Sequence, residues 1–205
     1  MDNDIKIKIC GMTNSEDAQL AASLGVDFLG LIFAKSRRQV GFSRAQKIIE
    51  KISTPVNWVG VFKNQPVEKV CECAYRLNLK WIQLHGDEDI NYVHALLGEF
   101  NVVKTFEFQE STHQSDIENY PGDWVLLDVP KSSNRTVDWG VAEQIARKKK
   151  VFLGGGLKRE NITEAIDKVK PCAVDVCRGV EAFPGRKDPY KLEALVRIIK
   201  QGAGG

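Results

Sequence analysis

Apolar strand-like runs alternate with amphipathic helical stretches along the whole chain, and this alternation restricts the fold more than any single motif. The strand candidates are 5–10, 26–33, 56–62, 80–84, 101–108, 123–128, 150–154 and 172–177. They are rich in Val, Ile, Leu and Phe, as expected of strands covered on both faces. Helical patterns lie between them near 15–24, 43–51, 66–77, 88–97, 138–148 and 159–169, with a last one over 189–200 and a weak one over 113–120. Asn14 or Ser15 is placed to cap the first helix and Ser43 to open the second, while Pro66 and Pro189 suit first turns. Eight strands, each followed by a helix, predict an α/β fold, a single (β/α)8 TIM barrel spanning residues 1–205. The rival, a doubly wound open sheet, needs a Gly-rich loop after an early strand, and the first turn here offers only Gly11. A chain of 205 residues is ample for one core and short for two.

Composition excludes several classes of function. A net charge of +2 gives no reason to invoke nucleic acid or an acidic membrane surface. No apolar run approaches the length of a membrane span. Met1-Asp2-Asn3-Asp4 is acidic and leads into no signal-peptide core, so the expected location is cytoplasmic. Five cysteines, an odd number without scaffold spacing, are expected as free thiols. Cys71 and Cys73 would point to different helix faces, and the three histidines are scattered, so no metal site is expected.

In a barrel of this kind chemistry sits at the carboxyl ends of the strands. Those positions are Cys10, Phe33 with the loop to Arg38, Phe62, His85, Glu107, Asp128, Gly154 and Cys177, a set too polar for a structural rim. Cys10 and Asp128 have the residue types of a general base and a general acid. Taken singly, each has a plainer reading, Cys10 as a small buried hydrophobe and Asp128 as a turn former. Gly154-Gly155-Gly156 before a helix, with Arg178-Gly179 after the eighth strand, suits phosphate, because glycine lets backbone N–H groups approach an anion. Arg178 would add a charge-assisted contact. Arg37 and Arg38, following Lys35-Ser36, read on their own as solvated basic surface.

Read in order, Lys8-Ile9-Cys10-Gly11-Met12-Thr13, Gln83-Leu84-His85-Gly86, Leu126-Leu127-Asp128, Gly154-Gly155-Gly156-Leu157 and Asp175-Val176-Cys177-Arg178-Gly179-Val180-Glu181 resemble the phosphoribosylanthranilate isomerase family of tryptophan biosynthesis. Asn161, Pro171 and Pro184-Gly185-Arg186-Lys187-Asp188 fit the same pattern. The resemblance implies a cofactor-free Amadori rearrangement of a phosphorylated small molecule; the sequence leaves monomer and homodimer both open. It implies Cys10 as base and Asp128 as acid. It also implies Arg38 on the anthranilate carboxylate, His85 and Asp175 lining the site, and Gly155, Gly156 and Gly179 cradling phosphate, with Arg178 beside them.

Three departures from the family pattern stand out. The segment Asp128 to Asp138 is shorter than usual and lacks glycine. Cys177-Arg178 replaces a pair of serines. Ser36-Arg37-Arg38 replaces Ser-Pro-Arg and loses a restraint on φ. The rivals are the related aminoaldose isomerase of histidine biosynthesis, which has aspartate where Cys10 stands, a metal-dependent pentose-phosphate epimerase, whose histidines are missing, and a degenerate barrel that binds a phosphorylated ligand without turnover.

Overall fold

The computed structural model describes residues 5–108, 114–130 and 135–202. The acidic start at 1–4, the first residue of the weak helix at 113, Lys131–Asn134 of the shortened loop and the tail beyond Gly202 lie outside the described residues. Eight parallel strands close into a barrel in chain order, with the eighth paired back onto the first. They are β1 (Lys6–Cys10), β2 (Phe28–Ile32), β3 (Asn57–Phe62), β4 (Trp81–Leu84), β5 (Asn101–Glu107), β6 (Trp124–Asp128), β7 (Lys150–Leu153) and β8 (Ala173–Val176). All eight expected strand runs are therefore strands, in the expected closed topology.

The helices are α1 (Ser15–Ser23), α2 (Phe42–Glu50), α3 (Val67–Arg76), α4 (Ile90–His94), α5 (Gln114–Glu118), α6 (Trp139–Ala146), α7 (Ile162–Val169) and α8 (Pro189–Gly202). Asn14 caps α1 by accepting from the Asp17 N–H at 2.8 Å. At α2 the cap is Gly41 rather than Ser43, and no side chain bonds there. Pro66 is likewise the cap of α3 and not a first-turn residue. The fourth helix is much shorter than the expected 88–97: Asp89 caps it, accepting from Tyr92 N–H at 2.8 Å, and it ends at His94.

Strand periodicity divides the apolar residues into two layers. Ile7, Ile9, Leu29, Leu31, Val125, Leu127, Val174 and Val176 face outward and pack under the helices. Phe28, Val59, Val103, Leu126, Phe152 and Ala173 face inward and close the lower barrel, with Trp81 and Trp124 packed against them. The rings meet largely edge to face, with centroids 5.0 Å apart for Phe28–Trp81 and for Trp81–Trp124.

A hairpin that the strand patterns did not announce follows β8. A 3-10 turn over Arg178–Val180 leads into β9 (Glu181–Phe183) and β10 (Arg186–Lys187), which pair antiparallel. Gly185 turns the hairpin at φ +88°, and its carbonyl accepts from Thr13 Oγ1 at 2.5 Å. The last segment is thereby folded back over the loop that follows β1.

Candidate active site

Cys10 ends β1 with only 6% exposure. Its thiol lies against bare backbone of β2, for a Cβ added at Gly30 would stand 2.7 Å from Cys10 Sγ. Gly30 also accepts the N–H groups of Gly11 and Met12 at 3.0 and 2.9 Å, which turns the chain sharply away from the barrel axis. Burial pushes the Cys10 thiol above its ordinary range, against the opposing pull of the Lys8 ammonium. The Asp175 carboxylate pushes it further up, and the Lys187 ammonium draws it down. Desolvation dominates, and the compensating charges come from lysines.

Lys8 is 1% exposed, and its Nζ donates to Asp175 Oδ1 at 2.8 Å. The two are register partners on β1 and β8. Burial works against the ammonium, but Asp175 and Cys10 outweigh it and hold Lys8 above its ordinary range. Lys187, from β10, is equally enclosed and donates to the Cys10 carbonyl at 2.6 Å, the Cys177 carbonyl at 3.4 Å and Glu181 Oε1 at 3.3 Å.

Arg38 is not solvated surface, whereas Arg37 is exposed. The Arg38 guanidinium forks onto Glu181, Nε to Oε1 at 2.8 Å and Nη2 to Oε2 at 2.5 Å. Glu181 is pushed up by burial, yet Arg38 and Lys187 hold it below the usual carboxylate range. Arg38 passes directly over Gly11, where a Cβ would stand 2.8 Å from its Cδ and 3.1 Å from Cys177 Sγ. Cys177 itself is pushed up to about 12 by burial, so it is a protonated thiol at neutral pH.

Across the mouth, Asp128 ends β6 and its Oδ1 accepts from Val129 N–H at 2.8 Å. Burial raises its carboxyl above the ordinary range; the Val129 bond and His85 pull it down, while Asp175 and Glu107 push it up. A carboxylic acid kept protonated at higher pH is suited to donate a proton. His85 follows β4, with Nε2 3.3 Å from Glu107 Oε1 and Nδ1 3.4 Å from Gln83 Nε2. Gln83 Nε2 also donates to Thr105 Oγ1 at 3.0 Å, which fixes the amide beneath the imidazole. Glu88 braces this corner by accepting from the N–H groups of Gly86 and Asn64 and from Lys104 Nζ, at 3.0, 2.8 and 2.6 Å.

The two glycine loops meet at one side of the mouth. Gly155 and Gly156 have φ of +71° and +75°, conformations a larger residue enters with strain. A Cβ on Gly155 would stand 2.9 Å from Val137 Cγ2, and one on Gly156 would stand 3.0 Å from the Arg135 carbonyl. The described end of the shortened loop therefore lies on this turn. Gly179 approaches so closely that a Cβ there would be 2.4 Å from the Leu157 carbonyl. Asn161 fastens the turn to α7, donating to the Gly156 carbonyl at 3.1 Å and accepting from Lys158 N–H at 2.9 Å. Arg178 is exposed on the 3-10 turn.

The site thus gathers Cys10, Arg38, His85, Asp128, Asp175 and both glycine loops at one end of the barrel. Lys8, Glu107, Glu181 and Lys187 belong to it as well, although sequence reasoning gave none of them a role. Lys8, Glu181 and Lys187 stood inside motifs that resembled a family and Glu107 stood at a strand end, which were the available signals. An acid, a thiol and paired glycine loops can together move protons on a phosphorylated substrate.

Residues 7–198 match the family described as N-(5′-phosphoribosyl)anthranilate isomerase. A relative of that name from Geobacter metallireducens is 39% identical over 202 residues, covering 96% of this chain and 99% of the relative. The crystal structure of the phosphoribosyl anthranilate isomerase from Thermotoga maritima superposes with a TM-score of 0.90 at 35% identity, covering 96% of this chain and 99% of that one. Another such isomerase, crystallised with reduced 1-(o-carboxyphenylamino)-1-deoxyribulose 5-phosphate, superposes with a TM-score of 0.87 at 34% identity, covering 96% and 99%.

Proposed function

The chain belongs to the N-(5′-phosphoribosyl)anthranilate isomerase family, and from that premise we propose that Cys10 and Asp128 perform the proton transfers of its reaction. The reaction is the Amadori rearrangement of N-(5′-phosphoribosyl)anthranilate to 1-(2-carboxyphenylamino)-1-deoxyribulose 5-phosphate in tryptophan biosynthesis. Asp128 gives its proton to the furanose ring oxygen as the C1′–O bond breaks, and the nitrogen lone pair forms an iminium. The iminium acidifies the C2′ proton, and the Cys10 thiolate removes it. The resulting enolamine tautomerises to the ketone, and the iminium serves as its own electron sink throughout.

The observation that carries this reading is the carboxyl of Asp128, raised by burial at the same barrel mouth as Cys10. The Gly155, Gly156 and Gly179 backbone takes the phosphate, with Arg178 at its edge. Arg38 turns part of its fork from Glu181 to the anthranilate carboxylate, and Asp175 and His85 meet the sugar. The phosphorylated ligand in a related crystal structure supports this ligand class. In this reading the chain acts in the cytosol as a monomer or a homodimer, and a relative described as dimeric, with monomers generated from it, supports either state. The test is the loss of phosphoribosylanthranilate fluorescence with purified protein. Turnover that disappears in Cys10→Ala and in Asp128→Asn is the expected result. Binding of the product analogue without any turnover by the native chain would leave only a degenerate, non-catalytic barrel.

A further inference from the structure

The candidate base rests on a cation that has no opening to solvent. Lys8 lies two residues before Cys10 on the same inward face of β1, one layer deeper in the barrel. A buried ammonium is costly unless paired, and a lysine at this depth needs a reason that packing does not supply. Asp175 satisfies one of its three donors. Cys10 is the next side chain on that face, two residues further along β1, and the ammonium favours its thiolate form. Too enclosed to touch a substrate, Lys8 acts through its neighbours.

We propose that Lys8 is a positioning residue for the isomerisation: locked in place by Asp175, its ammonium is the counter-ion of the Cys10 thiolate. The inference rests on Cys10 being the base. The other charged or titratable groups facing Cys10 are Asp175 from β8, Cys177 beyond it, Arg38 from the loop after β2, and Glu181 and Lys187 from the hairpin. β2 itself presents only Gly30. Lys187 is spent on two carbonyls and Glu181, and Arg38 on Glu181, which leaves Lys8 as the cation positioned from within the barrel. Asp175 both anchors Lys8 and competes with the thiolate for its charge. A substrate hydroxyl donated to Asp175 would turn the ammonium toward sulfur.

The experiment follows the rate of Cys10 alkylation by iodoacetamide against pH, read by mass on the Cys10 peptide, beside pH profiles of kcat and KM. Lys8→Met is expected to move the alkylation midpoint upward by about one pH unit or more, the scale of a lost neighbouring charge. The acidic limb of kcat should move with it, with KM little changed, and Lys8→Arg should restore much of both. Asp175→Asn should move the alkylation midpoint down. A folded Lys8→Met whose alkylation profile superimposes on the native one overturns the proposal. A midpoint that moves while the kcat limb stays leaves Lys8 coupled to the thiol but removes Cys10 as the base. Should Lys8→Met fail to fold with Asp175 uncompensated, the double variant Lys8→Met/Asp175→Asn is compared with Asp175→Asn alone. Its midpoint should lie higher, and coincidence of the two also overturns the proposal.

Discussion

The lower and upper halves of the barrel interior are built on the same strands and obey opposite rules. Below, Phe28, Trp81, Trp124 and Phe152 interlock with Val59, Val103, Leu126 and Ala173 into an apolar plug. Above, the inward positions of the same strands carry Lys8, Cys10, Gln83, His85, Glu107, Asp128 and Asp175. One turn of strand separates Trp81 from Gln83, and Leu126 from Asp128. The plug excludes water from beneath, so the charges above it interact through a medium of low polarity and act strongly on one another. Apolar packing fills one half of the interior, and the ionisable side chains of the candidate site line the other.

The comparison can be broken from below. Phe152→Ala removes a ring that meets Phe28 at 5.3 Å and Trp124 at 5.9 Å. It should destabilise the barrel by about 3–5 kcal/mol, seen as a lower urea midpoint, while the folded fraction keeps its kcat. A large loss of kcat with unchanged stability would erase the division of labour.

From above, Cys10→Ala and Asp128→Asn should each cut turnover by roughly a hundredfold or more with the fold intact. For Asp128→Asn, kcat should fall far more than affinity. The same variant sharpens the comparison in its stability. Asp128 has a raised carboxyl in the fold, so at low pH both folded and unfolded chains are protonated and no penalty exists. As pH rises past the ordinary carboxylate range the unfolded chain releases its proton first, and the fold loses stability until the folded carboxyl also ionises. Asp128→Asn should therefore match the native thermal midpoint in acid and exceed it at neutral pH.

Gly30→Ala tests the boundary between chemistry and packing. Its methyl would meet Cys10 Sγ and stand 3.1 Å from Cys10 Cα. A stability loss of about 1–3 kcal/mol is expected, with a fall in kcat as the thiol is displaced. The smallest effect belongs to the rim: Arg178→Ser should weaken binding of a phosphorylated product analogue by less than about tenfold, because its side chain is exposed. A larger loss would bring Arg178 into direct contact with the phosphate.

The fold was legible because strands buried on both faces and helices buried on one leave different periodicities. What lies inside the barrel was less so. Lys6 and Lys8 alternate identically with isoleucines, yet the Lys6 side chain is 49% exposed against Asp27 and that of Lys8 is 2% exposed against Asp175. Alternation assigns a face and not a depth. Cys10, Asp128, His85 and the glycine turns were singled out as strand-end positions, and the structure places them at one mouth of the barrel. Glu107 was visible as a strand end, but its approach to His85 depends on rotamers. Arg38 and Glu181 are 143 positions apart, and nothing local in either stretch announces their pairing. The hairpin strands β9 and β10 are too short to show any period.

The Lys187 ammonium that grips the Cys10 carbonyl spans 177 positions of chain. Cys10 precedes Asp175, Glu181 and Lys187 by more than 160 positions, so its surroundings are synthesised long after it. Until β8 and its hairpin are made, the thiol has neither Asp175 nor Lys187 beside it, and the barrel has an open edge. Such distant pairings form late and slowly. A chain that stops short of β8 therefore carries its candidate base unfinished, and the pocket around Cys10 is complete only when β8 and its hairpin close the ring.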